Sequence, residues 1–293
     1  MRLFQGVGVA LITPFNQHEV DYSMIGRLID FHIDGGTSAI IACGTTGESA
    51  TLSDEEKVAI FDYCVKYSRG RIPIIAGTGT NNTAQSIELS VRAQAVGVDG
   101  LLVVTPYYNK PSQAGLIAHY HAIADAVSIP IILYNVPSRT SVNLLPPAVK
   151  VLSQHPNIVA TKEACGDLEQ IKELTSLVPS DFAVYSGNDD QVFDVLELGG
   201  QGVISVTSNV APGLVAKPIQ LYFQGQVEAA KEEFLRLEPL HKAMFIETNP
   251  VPVKTILPWL GYEVGTVRLP LVMMDAETAD QLQTLIRPFQ VIS

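Results

Sequence analysis

Cysteine is scarce in this chain. Its 293 residues hold three, Cys43, Cys64 and Cys165, an odd number set far apart with no C-x-x-C pair. That spacing argues against a disulfide framework or a zinc site and fits a reducing cytoplasm. Basic residues are also few: 19 Lys and Arg stand against 30 Asp and Glu, a net charge of -11. So acidic a surface repels nucleic acid and anionic membranes, although a local pocket can still be positive. No apolar run approaches the roughly 18 residues of a membrane-spanning helix. The opening MRLFQGVGVALITPF is cut by Pro14 and followed by Asn16-Gln17-His18, so it reads as a first buried strand rather than a signal peptide. Only 17% of residues are charged and 47% are hydrophobic, the composition of a compact, core-rich protein rather than a disordered one.

What the chain does have is a regular alternation. Short runs rich in Val, Ile and Leu occupy residues 7–12, 39–42, 72–76, 100–104, 129–134, 158–162, 183–186 and 202–206. They lack polar alternation, as expected of strands buried on both faces of a parallel sheet. Helical patterns separate them. Ser53 with Glu56 has capping-box spacing and opens a stripe of Val58, Phe61, Cys64 and Val65. Ile25, Leu28, Ile29, His32 and Ile33 form another, ending at Gly35-Gly36, and residues 83–96 a third, ending at Gly97. Eight such units predict a (β/α)8 TIM barrel, with a doubly wound open sheet as the alternative. After residue 206 the strands stop. Residues 227–246, 253–260 and 277–286 read as helices, with breaks at Asn249-Pro250 and Pro252. We therefore expect a catalytic barrel over residues 1–224 and a C-terminal helical appendage over residues 225–293.

In such a barrel the segments following the strands line the active-site face. Lys162 ends an apolar strand and is expected to point into the barrel mouth, where desolvation would disfavour its charged form. A neutral amine there can attack a ketone to give a Schiff base, an electron sink for an enamine. Taken alone, a strand-end lysine more often snorkels to solvent or pairs with a neighbour such as Glu163. Tyr134 ends the preceding strand, and its hydroxyl could shuttle protons, although a lone tyrosine is more often core. Thr45 and Thr46 sit in a Gly-bounded turn whose N–H groups and hydroxyls suit a carboxylate. Arg139, in a polar loop, could pair bidentately with a carboxylate or could be a surface arginine. Other features are weaker. Gly77-Thr78-Gly79 has Asn82 where a dinucleotide fingerprint needs its third glycine. His119 and His121 do not share a helix face, so metal binding is not expected. Asp189-Asp190 could bind a cation but reads rather as a helix N-terminus, and Cys165 reads as a packing residue.

These motifs also carry a resemblance. From GVGVALITPF through GTTGES, TPYYNKPS, YNVPSRT, the Lys162 segment, GVISVTSN and NPVPVK, the chain resembles the dihydrodipicolinate synthase family of the N-acetylneuraminate lyase superfamily, nearly end to end. The resemblance implies that Lys162 forms an imine with pyruvate. It implies a proton relay of Tyr134, Thr45 and Tyr108, with Tyr108 supplied by a neighbouring subunit. Thr46 and the Ile204 backbone would hold pyruvate, with Gly187 close by, and Arg139 would bind the carboxylate of L-aspartate 4-semialdehyde. It further implies a cytoplasmic homotetramer, a dimer of dimers, in the diaminopimelate route of lysine biosynthesis, with no metal or organic cofactor. The rival within the superfamily is a sugar-acid aldolase such as N-acetylneuraminate lyase. Such relatives generally lack the arginine of YNVPSRT, so Arg139 favours the amino-acid pathway. Outside the class, the rival is a non-catalytic barrel that binds a keto acid.

Many bacterial members are inhibited by lysine at a subunit interface. Carried over by position, that pocket would include Ser49, Ala50, Asn81 and Tyr107. Lys57 stands where sensitive members usually carry histidine and Gln85 where they carry glutamate. Both differences disfavour a dicationic ligand electrostatically, so weak or absent inhibition is expected.

Overall fold

A computed structural model describes residues 3–291. Met1, Arg2, Ile292 and Ser293, at the outer ends of the two expected segments, lie outside the described residues. Eight parallel strands close into a barrel: β1 (Gly6–Ala10), β2 (Ala39–Ala42), β3 (Ile74–Gly77), β4 (Gly100–Val104), β5 (Ile131–Asn135), β6 (Ile158–Glu163), β7 (Ala183–Ser186) and β8 (Gly202–Ser205). Each strand pairs with its successor, and β8 pairs with β1 through Val7 opposite Val203 and Gly8 opposite Ile204. The TIM barrel expected from the apolar runs is therefore present, and three of the eight runs match their strands end to end.

The core has two shells because successive side chains of a strand face opposite ways. Ala39, Ile41, Ile75, Leu102, Ile132, Ala160, Ala183, Tyr185 and Ile204 fill the barrel interior. Their neighbours Ile40, Ile74, Leu101, Val103, Ile131, Leu133 and Val184 face outward and pack under the helices. Burial on both faces is what removes polar alternation from the strand sequences.

The helices begin where side chains cap them. Helix α1 (Tyr22–Asp34) starts at Asp21, whose carboxylate accepts from Met24 N. Helix α2 (Asp54–Ser68) carries the full capping box, with Ser53 and Glu56 bonded reciprocally. Helix α3 (Thr83–Ala95) starts at Asn82 and α4 (Gln113–Asp125) at Ser112, each with a side-chain cap. The later helices are α5 (Pro137–Thr140), α6 (Pro146–Leu152), α7 (Leu168–Leu177), α8 (Val192–Glu197), α9 (Pro212–Phe223), α10 (Val227–Ala243), α11 (Val251–Ile256) and α12 (Ala276–Ile286).

Two details differ from the sequence reading. Pro252 does not break a helix but lies in the first turn of α11, where its missing N–H has no partner to lose. A two-stranded antiparallel hairpin, Phe15–Asn16 with Glu19–Val20, follows β1. Its strands are two residues each, too short for a periodic signal. No helix among the described residues is long and apolar enough to cross a membrane.

Candidate active site

Lys162 and Tyr134 lie side by side at the C-terminal ends of adjacent strands. The β5–β6 register sets Tyr134 opposite Lys162, and the β6–β7 register sets Lys162 opposite Tyr185. Ala160 and Ala164 belong to the interior cluster, and Lys162 between them shares their face by the two-residue repeat. The lysine is 4% exposed, and its Nζ stands 4.2 Å from the centroid of the Tyr134 ring. The small side chains of Ala160 and Ala164 leave room for its stem. Gly187 completes that space: a Cβ there would lie 2.7 Å from Ala164 Cβ and 3.1 Å from Lys162 Cε. Any larger residue would push the lysine aside. Ile204, on β8, closes the interior cluster that contains Tyr134 and Tyr185.

The turn after β2 carries Thr45 and Thr46. It folds back tightly, with Glu48 N donating to Thr45 O and Ser49 N to Gly44 O. Cys43 and Glu48 take left-handed conformations, with φ of 54° and 55°. Gly47 is pressed against the segment that follows β1, since a Cβ there would meet Leu11 O at 3.0 Å. Thr45 is half-buried and Thr46 is buried. Distant residues hold the turn. Thr13 Oγ1 donates to Gly47 O at 2.7 Å, and Asn249 Nδ2 donates to Thr46 Oγ1 at 2.9 Å. Lys254 Nζ pairs with Glu48 Oε1 at 2.5 Å, and Arg268 N donates to Glu48 Oε2 at 2.8 Å. Burial pulls the Lys254 ammonium down to about 8, against the opposing pull of Glu48.

The other sequence candidates occupy different surroundings. Arg139 lies on α5, directly after β5, and is exposed. Tyr108 is 90% exposed in the loop after β4, with a φ of 72°. Tyr107 beside it is 39% exposed, and Asn109 ties this loop to Asn81 through a bond to the Asn81 carbonyl. Ser49 and Ala50 begin the turn that leads into α2. Lys57 is buried on α2 and pairs with Asp54 at 3.1 Å, and Gln85 Nε2 donates to the other Asp54 oxygen at 3.1 Å. The structure thus gathers Lys162, Tyr134, Gly187 and Ile204 in the barrel interior. Thr45, Thr46 and Arg139 stand in segments that follow strand ends.

Three polar groups near this mouth take roles that the sequence reading did not give them. Glu163, one residue past the lysine, faces outward and is 1% exposed. Asn135 Nδ2 donates to its Oε1 at 2.7 Å and to Asn143 Oδ1 at 2.8 Å, and Asn143 in turn bonds Gln170. Burial pushes the Glu163 carboxyl up to about 8. Asp189 begins a single 3-10 turn, but its carboxylate does not cap a helix of its own. Its Oδ2 reaches across to accept from Val206 N and Thr207 N, pinning the end of β8. Asn249 is the third, 203 residues from the threonine it bonds. Their one signal in sequence is proximity to a strand end for Glu163 and Asp189, and for Asn249 its place in the NPVPVK motif. Among the described residues no group of three or more His, Cys, Asp or Glu is placed to hold a metal ion.

Chemically, the arrangement sets a buried amine beside a phenol at the closed centre of a barrel, with a hydroxyl-bearing turn at the same end. Comparison with known proteins agrees in every register. A family model described as the dihydrodipicolinate synthetase family matches residues 3–288. A 4-hydroxy-tetrahydrodipicolinate synthase of Thermoanaerobacter sp. (strain X514) is 49% identical over 293 residues, covering 100% of this chain and 99% of its own. One from Caldicellulosiruptor saccharolyticus is 51% identical over 284 residues, covering 97% and 96%. The crystal structure of dihydrodipicolinate synthase from Aquifex aeolicus superposes with a TM-score of 0.96 at 45% identity, covering 99% of each chain.

Proposed function

This chain belongs to the dihydrodipicolinate synthetase family and is an enzyme with 4-hydroxy-tetrahydrodipicolinate synthase activity; on that premise we propose that Lys162 is its Schiff-base residue and that it joins pyruvate to L-aspartate 4-semialdehyde. The observation that carries this reading is the buried Lys162 Nζ 4.2 Å from the centroid of the Tyr134 ring, in a site whose walls are Ala164, Gly187 and Ile204.

The Lys162 amine adds to C2 of pyruvate, and loss of water leaves an iminium. The iminium withdraws electrons from C3, which loses a proton to give the enamine. C3 of the enamine then attacks the aldehyde carbon of the second substrate, and the resulting oxyanion takes up a proton. The substrate's own amine adds to C2 and expels the Lys162 amine, closing the ring and restoring the enzyme. Each of these steps moves a proton. Tyr134, Thr45 and Tyr108 form the relay that moves it. Tyr108 is 90% exposed in a single chain, which is consistent with its serving a neighbouring subunit of a homotetramer.

The Thr46 hydroxyl and the backbone at Ile204 receive the pyruvate carboxylate. Arg139 takes the carboxylate of the semialdehyde, and its five N–H donors suit a bidentate grip. That carboxylate is what separates the substrate from the uncharged acceptor sugar of a sugar-acid aldolase.

Borohydride reduction in the presence of pyruvate tests the Schiff base. Intact mass should show one covalent adduct on the protein and none on Lys162→Ala. An adduct that persists in Lys162→Ala, or no adduct on the unaltered protein, would overturn the assignment. A coupled assay with L-aspartate 4-semialdehyde against N-acetylmannosamine then identifies the acceptor.

A further inference from the structure

Asn249 and Thr46 are 203 residues apart and both buried, with 4% and 2% of their surfaces exposed. Asn249 Nδ2 donates to Thr46 Oγ1 at 2.9 Å. In this bond the threonine oxygen is the acceptor, so its own hydrogen remains to be donated elsewhere. Among the described residues the Thr46 hydroxyl is bonded to Asn249 and to no acceptor. A buried hydroxyl held by one lone pair, with its hydrogen unspent, is a donor prepared for a ligand oxygen.

From this geometry we infer that Asn249 is a positioning residue for substrate binding, one that turns the Thr46 hydroxyl so that it donates to the pyruvate carboxylate. The inference rests on the reading of Thr46 as a pyruvate-binding residue. It assigns a role to a residue in the link between α10 and α11, outside the strand-end segments that supply the other site groups.

The neighbouring contacts say why the bond acts on orientation rather than on whether the turn exists. Lys254, five residues after Asn249, grips Glu48, two residues after Thr46. Arg268 N and Thr13 Oγ1 hold the same turn at Glu48 and Gly47. The turn is thus held by three contacts that do not involve Asn249, one at the Gly47 carbonyl and two at the Glu48 carboxylate. Loss of the amide leaves the turn standing and frees one side-chain rotor. A freed hydroxyl can spend its hydrogen on another acceptor, and the carboxylate loses a prepared donor.

The test is steady-state kinetics on Thr46→Val, Asn249→Ala, the double variant and Asn249→Asp, with thermal melting as a check on folding. Asn249→Ala should raise KM for pyruvate about tenfold, the loss of one hydrogen bond, with kcat within about threefold. KM for the semialdehyde should hold. Thr46→Val should raise the pyruvate KM at least as much, and the double variant no further than Thr46→Val alone. Asn249→Asp keeps the shape but turns the donor into an acceptor. Its carboxylate captures the Thr46 hydrogen, so its pyruvate KM should exceed that of Asn249→Ala.

An unchanged pyruvate KM in Asn249→Ala, or an effect of equal size with and without the Thr46 hydroxyl, overturns the proposal while leaving the role of Thr46 intact. If Thr46→Val binds pyruvate as well as the unaltered enzyme, the role of Thr46 fails and this proposal with it. Should Asn249→Ala not fold, Asn249→Asp carries the test, and a pyruvate KM equal to that of the unaltered enzyme sinks the idea.

Discussion

Lys254 and Glu48 form an ion pair at 2.5 Å, with side chains 0% and 2% exposed, between the C-terminal helices and the turn that carries Thr45 and Thr46. The pair is well supplied with partners. Lys254 Nζ also donates to Thr266 O at 3.0 Å and lies 4.2 Å from the Phe15 ring, whose other cationic neighbour is Arg268 at 4.3 Å. The arrangement makes the C-terminal helices part of the support of this turn.

Breaking this pair from one side leaves a buried charge uncompensated. Lys254→Met should cost about 3–5 kcal/mol of stability in denaturant melts. Removing both charges with Lys254→Met and Glu48→Gln should recover part of that loss, because the orphaned carboxylate is gone. A double variant less stable than Lys254→Met would contradict this account.

Arg139 is exposed on α5, so its removal should leave the barrel intact. Arg139→Ala should raise KM for L-aspartate 4-semialdehyde by roughly tenfold to a hundredfold, the scale of a charge-assisted hydrogen bond. Pyruvate adduct formation under borohydride should continue, because that step precedes arrival of the semialdehyde. An equal loss of both activities would show that Arg139 supports the fold rather than the acceptor.

Glu163 gives a pH dependence of stability. Burial raises its carboxyl from 4.5 to about 8 in the folded protein. Between those values the folded chain holds a proton that the unfolded chain has released. Unfolding therefore releases a proton, and stability falls as pH rises from about 4.5 to about 8, then levels. Glu163→Gln removes this contribution. Its unfolding free energy relative to the unaltered protein should climb between about pH 5 and pH 8, by an amount on the order of a few kcal/mol. Parallel curves for the two proteins would show that Glu163 is ionised throughout.

Lysine should inhibit weakly or not at all. Asp54 is bound on one oxygen by Lys57 and on the other by Gln85, both at 3.1 Å. Its carboxylate is therefore already engaged, and the Lys57 ammonium repels the ammonium groups of a lysine bound nearby. Activity measured against increasing lysine should stay near its starting value at sub-millimolar concentrations. Strong inhibition in that range would refute the expectation, and Lys57→His with Gln85→Glu is the substitution pair expected to strengthen it.

Much of the fold was legible in the chain because the barrel repeats a local rule. Apolar runs such as Gly100–Val104 and Ala183–Ser186 announce strands buried on both faces, and capping at Ser53 announces α2 where the structure has it. Lys162 and Tyr134 were also legible, since each closes an apolar run. The antiparallel hairpin at Phe15–Asn16 was not, because two-residue strands are too short to show a period. Asp189 was read as a helix start and does begin the 3-10 turn that runs into α8, but nothing in the sequence showed that its carboxylate accepts from Val206 and Thr207.

By itself, then, the sequence determined the strands, the barrel they form and the residue types at its mouth, because hydrophobic period and turn chemistry are properties of neighbouring residues. The tertiary structure alone decided the rest. It set Lys162 opposite Tyr134 by strand register, placed Gly187 against the lysine stem, and brought Asn249 and Lys254 to Thr46 and Glu48 across some 200 residues of chain. Such contacts form where closed layers meet, and a one-dimensional pattern holds no trace of which distant side chains that closure will bring together.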